Sequence, residues 1–217
     1  MAIYDTEEEQ LEQLKKWWEG NSSSVVAGIV GAVLIVGGFS FWQNYQQENR
    51  VQASQLYQEL LNSATAENPD SIEKIAEKLA SEYSSSIYAH YAALQLAKTK
   101  VAKGDLEAAK AILEKEIKTN SDVELQHIAR LRLIQLLHSE KQYEAGLQLI
   151  AGVDPAKMEG FAASYDELQG DLYLALDRLD EARNAYQSAL RTGQASQLVQ
   201  FKLDDITAPE FTPNPAK

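Results

Sequence analysis

Between Glu19 and Glu48 the chain carries no charged residue for 28 positions. Inside that window runs an apolar stretch from Val25 to Trp42, VVAGIVGAVLIVGGFSFW. As a helix, 18 residues rise about 27 Å. Adding Ser22 to Ser24 brings the length close to a bilayer hydrocarbon core of about 30 Å. Trp17 and Trp18 precede the run, and Phe41, Trp42 and Tyr45 close it. Amphipathic aromatics of this kind belong at the two membrane–water interfaces. A cleaved signal peptide has a shorter apolar region and a small-residue cleavage site, whereas this run exits through Phe39-Ser40-Phe41-Trp42. A soluble core helix would not stay free of charge for so long. The expectation is therefore one uncleaved transmembrane helix.

Basic residues set the expected orientation. Lys15 and Lys16 lie just before the span and only Arg50 lies close after it. Acids contribute little to this rule, so the bias puts the N-terminus in the cytoplasm and everything after the span outside it. Within the span, Ala27, Gly28, Gly31, Ala32, Gly37 and Gly38 supply small side chains. Gly28, Gly31 and Ala32 make a candidate packing face for a second membrane helix. They equally fit the ordinary glycine content of membrane helices.

The remaining residues, about 170, suffice for one domain with its own core. Of the five prolines, Pro209, Pro213 and Pro215 crowd the last nine residues, so the body is nearly free of helix breakers. No stretch alternates with period two, and no sheet is expected. Cysteine is absent, which excludes disulfides, thiolate metal sites and a cysteine nucleophile. The net charge is -12, of which residues 1–19 hold -4 and the rest -8. That sign repels nucleic-acid phosphates and excludes nucleic acid as a partner.

The body repeats. The clearest copy runs Glu167 to Leu190, with Gly170, Tyr173, Leu179, Ala182, Tyr186 and Ala189 where a tetratricopeptide repeat alternates small and large residues. Gly104-Asp105-Leu106 marks an earlier copy and Tyr143-Glu144-Ala145-Gly146 a middle one. Leu106, Tyr143 and Leu179 are 37 and 36 residues apart, near the 34-residue period. Ser121 to Glu124 and Asp70 to Glu73 read as capping boxes, while Asn120, Gly152 and Gly193 lie where helices should stop. The expected fold class is all-α: a single N-terminal transmembrane helix followed by a tetratricopeptide-like α-solenoid of stacked helix pairs. Expected boundaries are a cytoplasmic head at 1–21, the anchor at 22–44, the repeat domain at 45–207 and a tail at 208–217. The first helix should run over 17–62, with others at 70–82, 86–102, 105–118, 122–138, 141–151, 159–176 and 179–192. A short cap at 196–205 should close the last repeat.

No catalytic constellation emerges. His90, His127 and His138 have no carboxylate or second histidine at metal spacing, so each reads as a surface or groove polar residue. No phosphate loop or nucleophile elbow is present. The expectation is a non-enzymatic protein without cofactor or metal, acting by binding. Projecting the repeat register onto the first helix of each pair points Tyr91, Lys98, Leu131, Gln135, Glu167 and Asp171 into the concave face. Each of them also fits plain surface.

The order of parts carries a resemblance. An acidic head beginning Ala2-Ile3-Tyr4, then Lys15-Lys16-Trp17-Trp18, one Gly-rich span, and degenerate repeats ending Phe201-Lys202-Leu203-Asp204-Asp205-Ile206 resemble the YfgM-like family, ancillary subunits of the SecYEG translocon of Gram-negative bacteria. The resemblance implies an inner-membrane protein with periplasmic repeats. It implies the SecYEG translocon and the membrane-anchored periplasmic chaperone PpiD as partners. It also implies contact with nascent secreted proteins on their way to periplasmic chaperones, and a link of the cytoplasmic side to envelope-stress regulation. The competing class is a structural scaffold for another envelope assembly complex.

Overall fold

The computed structural model describes residues 7–158 and 160–207. The start of the expected head and the tail at 208–217 lie outside the described residues. Among the described residues all regular structure is helical. The chain divides into two compact units, Met1–Gln52 and Ala53–Lys217.

Among the described residues the first unit is one element. Helix α1 spans Glu7–Thr65, and its residues up to 52 belong here. It starts ten residues before the expected 17. The cause is local: Glu9 to Lys16 are all glutamate, glutamine, leucine or lysine, strong helix formers without a breaker, and acids favour a helix N-terminus. The apolar window within α1 has no buried residue and is the one helix of the described chain long and apolar enough to cross a membrane.

In the second unit residues 53–65 of α1 are followed by α2 (Pro69–Glu82), α3 (Ile87–Ala102), α4 (Leu106–Thr119), α5 (Val123–Ser139), α6 (Tyr143–Ala151), α7 (Ala162–Ala175), α8 (Leu179–Arg191) and α9 (Gln197–Thr207). A 3-10 turn, Pro155–Lys157, precedes α7. Leu106, Tyr143 and Leu179 each open the second helix of a pair, so the spacing read from the sequence is the spacing of the pairs.

One turn joins the helices of every pair. The amide of the residue before each second helix donates five residues back: Asn68 to Ser63, Asp105 to Lys100, Gln142 to Leu137 and Arg178 to Tyr173. The preceding residue donates to the carbonyl three back and is left-handed: Glu67, Gly104, Lys141 and Asp177, at φ 51°, 79°, 62° and 59°. These are Schellman turns, which satisfy carbonyls orphaned at a helix end. The sequence signals three copies; the turn at Glu67 shows that the end of α1 and α2 form a fourth.

Two expected caps shift. Asn68, rather than Asp70, caps α2, accepting from the Ser71 amide at 3.1 Å. Pro69 then takes the first helical position, where its missing N–H costs nothing. Asp122, rather than Ser121, caps α5, accepting from the amides of Glu124 and Leu125. The Asn120 side chain accepts from the Asp122 amide at 2.9 Å and holds that cap in place. In neither case does the acid three residues on from the expected cap close a capping box.

Four apolar clusters follow one another along this unit. Ala53 and Leu60 bury against Ile72, Leu79 and Ala92. Leu94, Ala109, Leu113, Ala129 and Leu133 form the second cluster. Ile134, Ile150, Tyr165 and Leu172 make the third. The last is closed by α9, whose Val199 and Leu203 cover Ala182, Tyr186 and Ala189. Gly170 lets α7 and α8 touch: a Cβ there would meet the Tyr186 ring at 2.4 Å.

Candidate protein-binding face

Side chains four residues apart stand on one face of a helix. Leu131 and Gln135 are so placed on α5, Glu167 and Asp171 on α7. The structure brings these four together around a pocket of about 370 Å3, with His138, Ser164, Leu168 and Lys202 completing the wall. Lys202 arrives from α9, and the sequence reading passed over it. Its Nζ donates to Glu167 at 2.9 Å and to both Asp171 oxygens at 2.7 and 2.8 Å. The signal was there: Val199, Leu203 and Ile206 share the apolar side of α9, and Lys202 stands beside that side.

Burial and charge act against each other here. Desolvation pulls the Lys202 ammonium down, but the hydrogen bonds to Asp171 and Glu167 together outweigh it and hold it above the ordinary lysine value. Lys202 therefore stays a cation. The Tyr186 hydroxyl donates to Asp171 Oδ1 at 2.8 Å. Burial first, then the adjoining carboxylates, push its ionisation far above the usual tyrosine range, so it remains a donor. Two carboxylates against one ammonium leave the pocket with a residual negative charge, suited to a cationic side chain.

Tyr91 and Lys98 lie on α3 and do not line that pocket. Tyr91 is 36% exposed and its ring centre is 5.8 Å from that of Tyr57. Tyr57 also meets Tyr88 at 5.7 Å, giving an aromatic group at the end of α1 and the start of α3. Lys98 is exposed two turns further along α3. Arg132 ties α5 to α3 by donating to the Leu94 carbonyl at 3.1 Å. In the span, a Cβ on Gly28 or Gly31 would meet nothing within 4 Å, and Ala32 is exposed.

Of the three histidines, expected as surface or groove polar residues, only His127 is buried. His127 is 3% exposed, shares a hydrogen bond of 2.8 Å with the Tyr165 hydroxyl and stacks on Phe161 at 4.9 Å. It lies on the same side of α5 as Leu131 and Ile134, an environment that residue spacing alone did not distinguish from a groove. His90 shares a 2.8 Å hydrogen bond with Glu116 of α4, a carboxylate 26 residues away that is 5% exposed. His138 does line the pocket, 5.5 Å from the Tyr143 ring centre. No three His, Asp or Glu side chains gather as a metal would require among the described residues.

His127 makes the fold sensitive to acid. Burial lowers its affinity for a proton, Arg130 adds to this, and a backbone contact to Lys157 opposes both. Below a pH of about 6.5 the unfolded chain therefore binds a proton that the folded chain refuses. Stability should fall as the pH drops through 6.5 toward the lower folded value, by at most about 1.4 kcal/mol per pH unit. Denaturant midpoints at pH 7.5 and 5.5 should show a smaller difference in His127→Gln than in wild type.

The repeats and the span both have counterparts among known proteins. A model of the tetratricopeptide repeat-like domain matches residues 15–208. The ancillary SecYEG translocon subunit of Escherichia coli K12 is 30% identical over 210 residues, covering 95% of this chain and all of that protein. The chain belongs to this family of ancillary SecYEG translocon subunits. The Haemophilus influenzae subunit is also 30% identical, over the same shares of both chains, and the Neisseria gonorrhoeae subunit is 28% identical. The shared name describes an accessory subunit rather than an enzyme, in line with the non-enzymatic expectation. Among solved structures, a MamA RS-1 ArsTM double mutant superposes with a TM-score of 0.54 over 71% of this chain and 82% of that one. At 16% identity it supports the fold alone, helix pairs stacked in the tetratricopeptide manner.

Proposed function

We propose that this chain is a non-enzymatic inner-membrane adaptor at the SecYEG translocon. Its repeats bind a membrane-anchored periplasmic chaperone of the PpiD kind and help pass translocated proteins to the periplasmic chaperone network. The observation that carries the reading is the match through both parts, span and repeats, to ancillary SecYEG translocon subunits covered over their whole length. Lys15 and Lys16 against the single Arg50 support an N-terminus in the cytoplasm and the repeats in the periplasm. The binding face is assigned to Tyr91, Lys98, Leu131, Gln135, Glu167 and Asp171, an aromatic group on α3 and an acidic pocket between α5, α7 and α9. Gly28, Gly31 and Ala32, open on their side of α1, are assigned to contact a partner's membrane helix. Nascent secreted chains meet the same face while extended.

Crosslinking in intact membranes, followed by mass spectrometry, tests this. The wild-type chain should capture SecY and a periplasmic chaperone, which also requires the proposed orientation. Binding energy concentrates in a few anchors, so Tyr91→Ala with Leu131→Asp should lower capture of the chaperone at least about tenfold. Leu131 packs against the third cluster, so Gln135→Arg, at an exposed position, serves as the companion that spares the core. Undiminished capture by both folded variants would move the site off this face. Recovery of another assembly complex in place of SecY would favour the scaffold.

A further inference from the structure

The segment before the span is helical and two-sided. Leu11, Leu14 and Trp18 follow the i, i+3, i+7 spacing of one helix face, with Trp17 at its margin. They are 55%, 65% and 49% exposed, and Trp17 is 53% exposed. Glu9, Glu12 and Lys16 repeat the same spacing on the opposite side. An apolar face on so polar a segment needs a cover.

The bilayer is the cover that the chain itself supplies, since the face runs directly into the apolar span. A straight helix leaves Trp17 and Trp18 at the headgroups but keeps Leu11 and Leu14 out of reach. Counting from Ser22, Leu11 stands about 16 Å beyond the hydrocarbon. The headgroup layer on each side is only about 5–8 Å deep. The join between the two parts, however, is Gly20-Asn21-Ser22-Ser23-Ser24, five residues in a row without a strong helix former. Asn21 Nδ2 already donates to the Trp17 carbonyl at 2.8 Å, offering that carbonyl a partner that does not depend on continued helix.

We infer that residues 7–19 form an amphipathic interfacial helix that bends at residues 20–24 and lies in the membrane surface, Leu11, Leu14, Trp17 and Trp18 downward. The stretch holds five acids and two bases, so the surface it suits is zwitterionic lipid rather than anionic lipid. The inference rests on the span lying in a bilayer and not on any translocon partner.

The chain lacks cysteine, so each introduced cysteine can carry one nitroxide label. The full chain is placed in phosphatidylcholine nanodiscs, with labels at Leu11→Cys, Leu14→Cys, Glu9→Cys and Glu12→Cys in turn. Collision with oxygen, which concentrates in lipid, is compared with collision with a water-soluble nickel chelate. Labels at 11 and 14 should favour oxygen several-fold more than labels at 9 and 12. If all four favour the nickel chelate, the segment stands in water and the inference fails. Labels at 11 and 14 shielded from both reagents would overturn it in favour of a second copy covering the face. Stiffening the join with Gly20→Ala, Ser22→Ala and Ser23→Ala should lift the labels at 11 and 14 toward the nickel chelate. Unchanged lipid contact in that variant would refute the bend at residues 20–24.

Discussion

Gly170→Leu is expected to unfold the α7–α8 pair, and even Gly170→Ala should destabilise it. A Cβ at this position would lie 2.4, 2.5 and 2.9 Å from three carbons of the Tyr186 ring. The ring has nowhere to go: Tyr186 is fully buried and its hydroxyl is held by Asp171. Alanine in a helix interior is otherwise favoured over glycine by about 1 kcal/mol. Overpacking costs about 1–3 kcal/mol and at times more, so sterics should win and the sign of the alanine change reports it. Leucine exceeds that range, against a total domain stability of about 5–15 kcal/mol. Gly146 is the control. A Cβ there meets the Leu172 methyls at 3.0 and 3.1 Å, which rotate away more easily, and Ile134 Cγ2 at an ordinary 3.7 Å. Amide hydrogen exchange should show α7 and α8 unprotected in Gly170→Leu while α3 and α4 stay protected. A protected α8 in that variant would mean that the helices approach elsewhere.

Lys202→Glu is expected to release α9. The substitution leaves three carboxylates where Lys202, Glu167 and Asp171 are now 23–24% exposed. Exposed ion pairs contribute under about 1 kcal/mol, and breaking a buried one costs about 3–5 kcal/mol. A half-buried pair falls between, at roughly 2–3 kcal/mol, before repulsion is added. Lys202→Met, which keeps the stem without the charge, should lose only the pairing. Melting midpoints should order wild type above Lys202→Met above Lys202→Glu, and α9 amides should exchange first. Equal midpoints for all three would show that Val199 and Leu203 alone hold α9 down.

The fold was legible because its determinants are periodic. Ala109, Gly146 and Ala182 recur at one offset from Leu106, Tyr143 and Leu179, and the charge-free window from 20 to 47 has few readings. Leu106, Tyr143 and Leu179 proved to be the first residues of α4, α6 and α8. What escaped depends on contacts between distant residues. Glu116 reaches His90 from 26 positions away, and Lys202 reaches Asp171 from 31. No spacing rule reports such pairs. His127 was misread for the same reason: Tyr165, 38 residues on, supplies its partner. The turn at Glu67 was not signalled: like Lys141 and Asp177, Glu67 takes the left-handed position that only Gly104 fills with glycine among the four turns. Four of the six residues projected onto the face line one pocket, while Tyr91 and Lys98 stand apart on α3.

The succession of four small clusters, each shared between neighbouring helices, has a kinetic consequence. Apart from α5 with α7, the closely packed helix pairs are consecutive in the chain. Domains with such local contacts fold in microseconds to milliseconds. Synthesis at about 5–20 residues per second delivers one pair of about 37 residues in roughly 2–7 s. Each pair can thus settle before the next has emerged, and only the newest apolar face waits for its cover. The last face waits for α9, so the domain completes its burial only when the final described helix arrives.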